Sequence, residues 1–580
     1  MKRKRAKGKR YICLVSLILL TAGFLYMPDA VTAEMDFAVK NPAPIGPPES
    51  APRERAEQRE FSLDFEPMAP LPQNTFEGIN FDENGDITGF LIIPPDPIAA
   101  AGPDHIVSVV NSTVEWYTKT GVLQLSLSLE NDFFSVLSPQ SRPFDPKVIY
   151  DQYADRFVVI ALERGDFSSP NASRILVGVS DDENPNGTWY LGWINSNLDI
   201  GPFGSWADYP GLAIDEEAVY ITANMFRFIL GRFAGSRLWI LEKGDGSGGF
   251  YDGGSSSLTL HDPSTAAGLP YTASTLQPAH VFGPGGVAEG VGTFLVSLDW
   301  ETIGSPVDSL SVIRVDDPLG SPSFSNQFIS LGEITGAYDL PDAPQAGTGV
   351  AIETNDGRIL HAVWRNDSLW AVNTINPSAG PDSGQATAHW YEIDTSALNS
   401  LELIQQGNIG GEDIAPGTHT FFPSIAVDAA GNVGIGFAAS APGIFPGSYY
   451  TGRKWSDPAG SMQPAETLAA GVDYYIRTFG GGRNRWGDYS GMSVDPADDR
   501  TFWVYNQYAL TRGTVTDGED GRWGTRFGSF AFSLCAGDFD NDGVVDGKDL
   551  AEFLDRFQAG LVDEDNLAVF AEDFGGTDCL

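Results

Sequence analysis

Short apolar segments that alternate with turn residues dominate the middle of the chain. The recurring pattern is a short apolar strand that ends at Asp or a turn, a corner of Gly, Asn or Asp, and a second apolar strand. Alternation around turn residues predicts β-hairpins. Helical periodicity is nearly absent before residue 548, so we predict an all-β body. The pattern begins seven times, at residues 96, 145, 208, 277, 349, 423 and 488.

Most of these starts lie about 50–75 residues apart, which leaves room for about four strands in each unit. Four-stranded units arranged radially form a β-propeller. We therefore predict a seven-bladed propeller over residues 76–534, with a large β-sandwich assembly as the competing architecture. The aromatic content of 12% fits a propeller, because broad sheets packed face to face need large side chains between them. We expect Asp86–Ile93 to close the ring as a strand of the last blade.

The N-terminus has the pattern of a secretory signal peptide. A basic segment to Arg10 precedes an apolar run from Ile12 to Met27, and small residues stand at Val31 and Ala33. This order predicts a signal peptide over residues 1–33, cleaved after Ala33. An uncleaved membrane anchor is the alternative, because the run is close to the length that spans a bilayer.

Charge and proline content add to this picture. The formal net charge of −42 disfavours nucleic acid and anionic membranes as partners. It suits a soluble protein that is secreted or held at the cell surface. Residues 34–75 are rich in Pro and in Arg/Glu pairs and poor in large apolar residues. We predict a disordered linker there.

The motif with the most direct chemistry lies near the C-terminus. Carboxylates occupy positions 1, 3, 5, 9 and 12 of a twelve-residue loop, with Gly543 at position 6. This is EF-hand spacing, and a Ca²⁺ ion would relieve the repulsion between the acidic side chains. A solvated acidic turn is the alternative. The predicted ligands are the side chains of Asp538, Asp540, Asp542, Asp546 and Asp549 and the carbonyl of Val544.

An amphipathic helix is expected directly after this loop, and its apolar spacing returns about seventeen residues later. The second loop is degenerate, because Phe557 and Ala559 stand where ligands are needed. We therefore predict one Ca²⁺ site. Residues 535–580 resemble a dockerin, the duplicated calcium module that binds cohesin-bearing scaffolds. The resemblance implies a cohesin-like or cell-surface partner, and a reduced tail that only stabilises the C-terminus is the alternative.

Two cysteines bracket this module. Cys535 and Cys579 are the only cysteines that remain after removal of the predicted signal peptide. An even number in an exported protein predicts a disulfide between them. Such a bond would join the ends of a module too small to bury much apolar surface.

Two blade starts have nearly the same sequence, Trp206-Ala-Asp-Tyr-Pro-Gly211 and Trp486-Gly-Asp-Tyr-Ser-Gly491. With these motifs, most of residues 90–534 resembles a family of secreted, largely uncharacterised bacterial propellers that are similar in fold to sialidases. The resemblance implies a sialidase-like propeller more firmly than it implies an activity. The sialidase Asp-box has no clean copy; Ser180–Trp189 is a distorted version.

The start of each innermost strand is where propellers usually bind ligands, and carboxylates are expected to converge there. Such carboxylates could act as general acid and base on a sugar, and a neighbouring Tyr could be a nucleophile. The alternative, which we favour, is that Asp caps backbone N–H groups and the aromatic side chains fill space. The candidates are Asp145, Asp208, Tyr209, Asp488 and Tyr489, with Arg227, Arg365 and Arg485 as possible carboxylate clamps.

Other chemistry is sparse. No pair of His residues has zinc spacing, and we interpret His361 and His419 as structural. Three functions remain open. The first is a non-catalytic protein that binds a glycan or a protein. The second is a glycoside hydrolase that acts on extracellular polysaccharide, and the third is a structural component of the cell surface.

Overall fold

Seven β-sheets follow one another along the chain. The computed structural model describes residues 31–32, 35–40, 69–165, 171–244, 248–282, 290–303, 307–337, 339–533, 535, 537–538, 544–559, 570–571 and 573–575. Within these residues, the innermost strand of each sheet contacts the innermost strands of both neighbouring sheets, and the contacts close into a ring. The body is therefore an all-β, seven-bladed propeller, which confirms the predicted architecture over the β-sandwich alternative.

The strands are numbered in chain order. The first three are β1 (Val31–Thr32), β2 (Met35–Lys40) and β3 (Asn74–Asn80). Blade 1 contains β4 (Ile98–Ala101), β5 (His105–Val110), β6 (Thr113–Thr118) and β7 (Leu123–Ser128). Blade 2 contains β8 (Phe144–Asp151), β9 (Arg156–Gly165), β10 (Ala172–Ser180) and β11 (Trp189–Asn195). Blade 3 contains β12 (Leu198–Ile200), β13 (Phe203–Ile214), β14 (Ala218–Arg227), β15 (Phe233–Glu242) and β16 (Leu258–His261).

The remaining blades continue this order. Blades 4 and 5 contain β17 (Gln277–Pro278), β18 (His280–Val281), β19 (Val291–Leu298), β20 (Asp308–Asp316), β21 (Ser323–Gly332), β22 (Ile359–Arg365), β23 (Ser368–Ile375), β24 (Thr387–Asp394) and β25 (Glu402–Ile409). Blade 6 contains β26 (His419–Val427), β27 (Val433–Ala441), β28 (Ile444–Arg453) and β29 (Glu466–Ala469). Blade 7 contains β30 (Gly491–Val494), β31 (Phe502–Ala509) and β32 (Trp523–Phe530). The helices are α1 (Phe81–Thr88), α2 (Pro263–Ala266) and α3 (Gly547–Ala559), with shorter helical turns at Leu129–Phe133, Ser135–Leu137 and Phe250–Asp252.

Ring closure uses a different segment from the one predicted. Strand β3 pairs with β32 and forms the outer edge of blade 7, whereas Asp86–Ile93 forms no strand. Asn80 accepts hydrogen bonds from the backbone N–H groups of Asp82 and Glu83, and Glu83 accepts one from the N–H of Asn80. This capping box starts helix α1, so the chain becomes helical at the point where the prediction placed a strand.

The predicted signal peptide and linker lie mostly outside the described residues. At the two ends of the 34–75 segment the chain is extended: β2 pairs with β11 at the outer edge of blade 2, and β3 begins at Asn74. Strand β1, which precedes the predicted cleavage site, pairs with β16. Among the described residues, no helix is both long enough and apolar enough to cross a bilayer.

Each junction between neighbouring blades has its own buried apolar cluster, so seven clusters surround the channel of the described propeller. Trp116 and Trp189 lie between blades 1 and 2, and Phe76 and Phe527 stack at 4.6 Å in the cluster between blades 7 and 1. Aromatic side chains therefore fill the junctions, as the composition predicted.

One hairpin prediction needs correction. The fifth copy of the pattern, Gly349–Leu360, lies largely in a loop, because the innermost strand of blade 5 begins only at Ile359. Part of this loop is tied to a different segment, since Ala343 and Ile352 form an isolated antiparallel bridge. The hairpin of this blade turns instead at Asn366 and Asp367, which both have positive φ angles.

Candidate functional site

The innermost strands enter the channel through strained residues. Most of these entry residues have φ angles between 47° and 62°, in the left-handed region that residues other than Gly rarely adopt. In four of them Pro is the next residue. The sharp turn brings side chains from different blades together over one end of the channel, which we call the mouth. The entry residues with positive φ are Asp96, Asp145, Tyr209, Thr275, Asn355 and Phe422.

Two of the mouth carboxylates accept hydrogen bonds from neighbouring blades. The Asp488 N–H donates to Asp96 Oδ1 at 2.7 Å, and the Tyr209 N–H donates to Asp145 Oδ2 at 3.1 Å. Burial and the nearby Asp488 carboxylate raise the pKa of Asp96 to about 7. Burial, followed by the Asp208 charge, raises the pKa of Asp145 well above its usual range. Both carboxylates thus link one blade to another by accepting hydrogen bonds from backbone N–H groups, which is the structural role that the sequence analysis favoured.

Asp488 is also engaged. Its carboxylate forms an ion pair with Arg485 and accepts a hydrogen bond from Asn355 Nδ2 at 3.2 Å. Arg485 lies 3.9 Å from a carboxylate oxygen of Glu353 as well. These contacts hold the Asp488 carboxylate in a fixed position, and they place Arg485 at the mouth, as the sequence suggested.

The two tyrosines close the channel beneath these carboxylates. Tyr209 and Tyr489 are buried and meet edge to face, with ring centroids 5.8 Å apart. The Tyr209 hydroxyl donates to the carbonyl of Asp488 at 3.1 Å, and the Tyr489 hydroxyl donates to the carbonyl of Pro146 at 3.3 Å. Burial raises the pKa of both hydroxyls well above the ordinary value. This geometry favours a structural role over that of a nucleophile.

Asp208 differs from the other mouth carboxylates. Its side chain is partly exposed, and it accepts no hydrogen bond from a described residue. Burial and the Asp488 charge raise the pKa of Asp208 to about 6, although Arg358 and Arg485 act in the opposite direction. Asp208 is therefore the mouth carboxylate with free acceptor capacity. Two residues before it, the Trp206 ring lies under the guanidinium of Arg164 at 3.9 Å.

The three arginines proposed as clamps do not converge. Arg485 lies at the mouth, whereas Arg365 is paired with Asp499, a residue of the loop between β30 and β31 at the other end of the blades. Arg227 lies over the Phe203 ring at 5.5 Å on blade 3. The sequence did not single out Arg358, which is paired with Asp356 and lies over the Tyr209 ring at 4.3 Å.

Below the tyrosines the channel widens into a cavity of about 390 Å³. Lys147, His280 and His361 are the basic side chains in its wall. The Lys147 ammonium lies 3.1 Å from the centre of the Tyr489 ring, and it forms no hydrogen bond or ion pair with a described residue. The sequence signal for this site is a Lys directly before the apolar residues Val148 and Ile149 of β8, and the sequence analysis did not single it out.

Two histidines contribute to backbone structure, in line with the sequence interpretation. His361 Nδ1 accepts a hydrogen bond from the N–H of Ile425 at 3.2 Å, and His419 Nδ1 accepts one from Ala386 at 3.1 Å. Since Nδ1 of His361 is an acceptor, the ring proton of the neutral side chain is on Nε2. Nε2 of His361 therefore remains available as a donor at the cavity wall.

The predicted calcium loop is described in part. Asp540 and Asp542 lie outside the described residues, and the described residues alone contain no group of three metal-ligating side chains. Asp538 and Asp549 are fully buried, and Asp549 Oδ2 accepts a hydrogen bond from the Asp546 N–H at 2.8 Å. These two carboxylates are the buried part of the predicted ligand set that the structure describes, and the Ca²⁺ site stays a prediction.

The predicted helix after the loop is present as α3. Phe553 of this helix stacks on Phe570 with ring centroids 5.2 Å apart, and Val545 completes a small buried cluster. The second half of the dockerin-like module falls mainly on residues outside the description. Cys579 is among them, so its disulfide with Cys535 stays a prediction.

No protein-family model matches the chain, and no curated protein matches it. Solved structures with a similar arrangement of strands include the endosialidase of phage phi92, at 8% identity and a TM-score of 0.35, over 75% of this chain and 67% of that one. The sialidase of Trypanosoma rangeli is 11% identical over 74% of this chain and 59% of that one, with a TM-score of 0.35. A xylan β-1,4-xylosidase from Bacillus halodurans is 8% identical over 75% of this chain and 98% of that one, with a TM-score of 0.28. Likeness at this level carries no argument about activity.

Proposed function

We propose that this protein is a secreted, non-catalytic binding protein that holds a glycan at the mouth of its propeller. The observation that carries the proposal is the contrast among the mouth carboxylates. Asp96, Asp145 and Asp488 are engaged by backbone N–H groups or by Arg485, whereas Asp208 accepts no hydrogen bond from a described residue. A partly exposed carboxylate beside arginines can accept hydrogen bonds from sugar hydroxyls, with Trp206 nearby to contact a sugar ring.

A glycoside hydrolase is the second candidate. Such enzymes need two carboxylic groups, one protonated and one ionised, on either side of the scissile bond. The raised pKa of Asp208, about 6, and the ion pair of Asp488 with Arg485 match these two roles. Against this candidate, the Asp488 carboxylate is already held by Arg485 and Asn355, which leaves it less free to attack a sugar or activate a water.

The two candidates are separated by one experiment with two readouts. The purified chain is incubated with a panel of polysaccharides and sialosides, and both retained protein and released sugar are measured. For a binding protein, wild type is retained without sugar release, and Asp208→Asn reduces retention. Sugar release by wild type that Asp208→Asn or Asp488→Asn abolishes would establish the hydrolase instead. Asp104→Asn, in an exposed turn, is the matched control.

For the tail we propose one Ca²⁺ site that stabilises the C-terminus, with a cohesin-like scaffold or cell-surface component as its partner. The support is the EF-hand spacing and the burial of Asp538 and Asp549. Calcium should protect the tail of wild type from protease, and Asp538→Ala or Asp542→Ala should remove that protection. Equal protection of wild type in chelator and in calcium would refute the ion site.

A further inference from the structure

The lower channel is unusual because three basic side chains lie in the wall of one cavity, whose two carboxylates, Asp155 and Asp499, lie at its lower rim. Lys147 and His280 are both less than 7% exposed, and His361 is half-buried. No ion pair joins any of the three to a described carboxylate, and His280 Nδ1 has no hydrogen-bond partner. Buried polar groups are normally satisfied, so an unpartnered His280 Nδ1 in the same wall as an ammonium that lies over the Tyr489 ring needs an explanation.

The carboxylates nearest to Lys147 do not form an ion pair with its ammonium. Asp96, Asp145 and Asp488 lie on the mouth side of Lys147, and none is within 4.0 Å of the ammonium. Burial raises the pKa of Asp96 to about 7, so this carboxylate is partly protonated near neutral pH, and burial also raises the pKa of Asp145 well above its usual range. Asp488 is neutralised by Arg485. The ammonium therefore has no close counter-charge.

The cavity also disfavours the charged forms of all three basic groups. Burial lowers the pKa of Lys147 to about 7. Burial, with the Lys147 charge, lowers the pKa of His361 to about 4. Burial, with the charges of His361 and Lys243, lowers the pKa of His280 well below its usual range. An anion in the cavity would favour the charged form of Lys147.

We propose that the lower channel binds a small monocarboxylate with an apolar body, and that Lys147 and His361 hold its carboxylate. A carboxylate has two oxygens, which suit the ammonium of Lys147 and the Nε2–H of His361. The rest of the wall fits an apolar body of on the order of ten non-hydrogen atoms. Among the lining residues are Ile98, Leu212, Leu360, Val363 and Met492.

The ligand enters from the end opposite the mouth. Tyr209 and Tyr489 close the upper end, whereas the cavity wall reaches the turn residues Gln152, Asp155 and Asp499 at the lower end. Asp155 accepts a hydrogen bond from Tyr150 at 3.2 Å, and Asp499 is paired with Arg365. These two rim carboxylates lie at the entrance and repel the carboxylate of the ligand. The ligand is therefore oriented with its apolar body toward the entrance and its carboxylate at Lys147.

Calorimetric titration of the purified full chain with hexanoate tests the proposal. Hexanoate should bind saturably near neutral pH, and hexanamide, which has the same body without the charge, should bind at least about tenfold more weakly. Titrations in two buffers of different ionisation enthalpy should show proton uptake, because the bound carboxylate raises the pKa of Lys147. The affinity should fall as pH rises above about 8.

Variants and a second anion complete the test. Lys147→Met should lose at least about tenfold in hexanoate affinity while it unfolds at a temperature no lower than that of wild type. Lys119→Met removes a surface lysine that pairs with Asp495 and should bind as wild type does. The proposal is overturned if hexanoate does not bind, if hexanamide binds equally, if binding takes up no proton, or if inorganic phosphate saturates the site. The ligand and buffer comparisons use wild type, so they decide the matter even if Lys147→Met fails to fold.

Discussion

The two ends of the channel handle buried charge in opposite ways. At the mouth, Asp96, Asp145 and Asp488 are tied to backbone N–H groups or to Arg485, and the contacts cross from one blade to the next. In the lower channel, Lys147 and His280 are also buried, yet His280 Nδ1 has no hydrogen-bond partner among the described residues, and the Lys147 ammonium lies over the Tyr489 ring instead of a carboxylate. Asp145 of the mouth and Lys147 of the lower channel lie on the same innermost strand, β8. Burial therefore does not distinguish them, and hydrogen-bond satisfaction does.

This difference separates structural from functional polar groups. A satisfied carboxylate stabilises the junction between two blades, and its removal should lower stability. An unsatisfied amine destabilises the fold, and its removal should cost no stability. Buried polar groups without a hydrogen-bond partner are expected where they bind a ligand. The lower channel and Asp208 are therefore the candidate sites.

The largest effect is expected at Asp96. Asp96→Ala removes the acceptor for the Asp488 N–H and for Asn111 Nδ2, which donates to Asp96 Oδ2 at 2.7 Å. Two buried donors would be left unsatisfied, so the free energy of unfolding should fall by about 3 kcal/mol in denaturant titration. Asp104→Ala, in an exposed turn, should change it by less than about 0.5 kcal/mol. A loss below 1 kcal/mol at Asp96 would mean that the mouth carboxylates do not stabilise the ring.

The next effect concerns Lys147 and pH. With its pKa lowered to about 7 in the fold and near 10.4 in the unfolded chain, Lys147 binds more protons when unfolded. Stability should therefore rise with pH between about 7 and 10, by on the order of 2 kcal/mol, and Lys147→Met should abolish that rise. The other titratable groups that face Lys147, namely Asp96, Asp145, Asp488 and His361, are common to both proteins, so the comparison isolates Lys147. Parallel pH profiles for the two proteins would show that Lys147 is satisfied after all.

The sequence predicted the body better than the site. Alternation around turn residues located most of the innermost strands, since each hairpin is a local feature with its own turn signal. Closure by Asn74–Asn80 was missed because the pairing of β3 with β32 joins residues about 450 positions apart, and no local pattern encodes it. The prediction for Asp86–Ile93 failed because the capping box at Asn80 determines the local structure.

At the site, the sequence identified residues but not their roles. Asp208 and Asp488 occupy equivalent positions in two similar motifs, yet one is free and the other is paired with Arg485. Arg485 stands three residues before Asp488, where the other motif has Ser205, whereas Asn355 comes from a loop of another blade that the motif does not reveal. The surroundings of Lys147 could not be predicted from the sequence either, because the seven innermost strands that enclose it come together only in the fold.

A smaller effect is expected at Asp208, the unsatisfied carboxylate of the mouth. The pKa of Asp208 is raised to about 6 in the fold, so the folded protein holds this proton more tightly than the unfolded chain does. The stability that the protonated side chain contributes below about pH 4 is therefore lost as the pH rises through 6. Asp208→Asn should therefore be more stable than wild type by about 1 kcal/mol near pH 7.5, and equal to it near pH 4. Thermal unfolding at the two pH values measures this. A destabilised Asp208→Asn protein would place Asp208 with the satisfied mouth carboxylates.

The smallest effect is expected at the two tyrosine hydroxyls, which mark the boundary between the regions. Tyr209→Phe and Tyr489→Phe each remove one hydrogen bond to a backbone carbonyl, and each should lower the free energy of unfolding by about 1 kcal/mol. Because the rings still close the channel, glycan retention at the mouth and hexanoate binding below it should both stay as in wild type. Each variant is the control for the other, since their hydroxyls make equivalent contacts on different blades. Complete loss of sugar release in one variant alone would identify that tyrosine as a nucleophile, and the mouth would then be an active site rather than a binding surface.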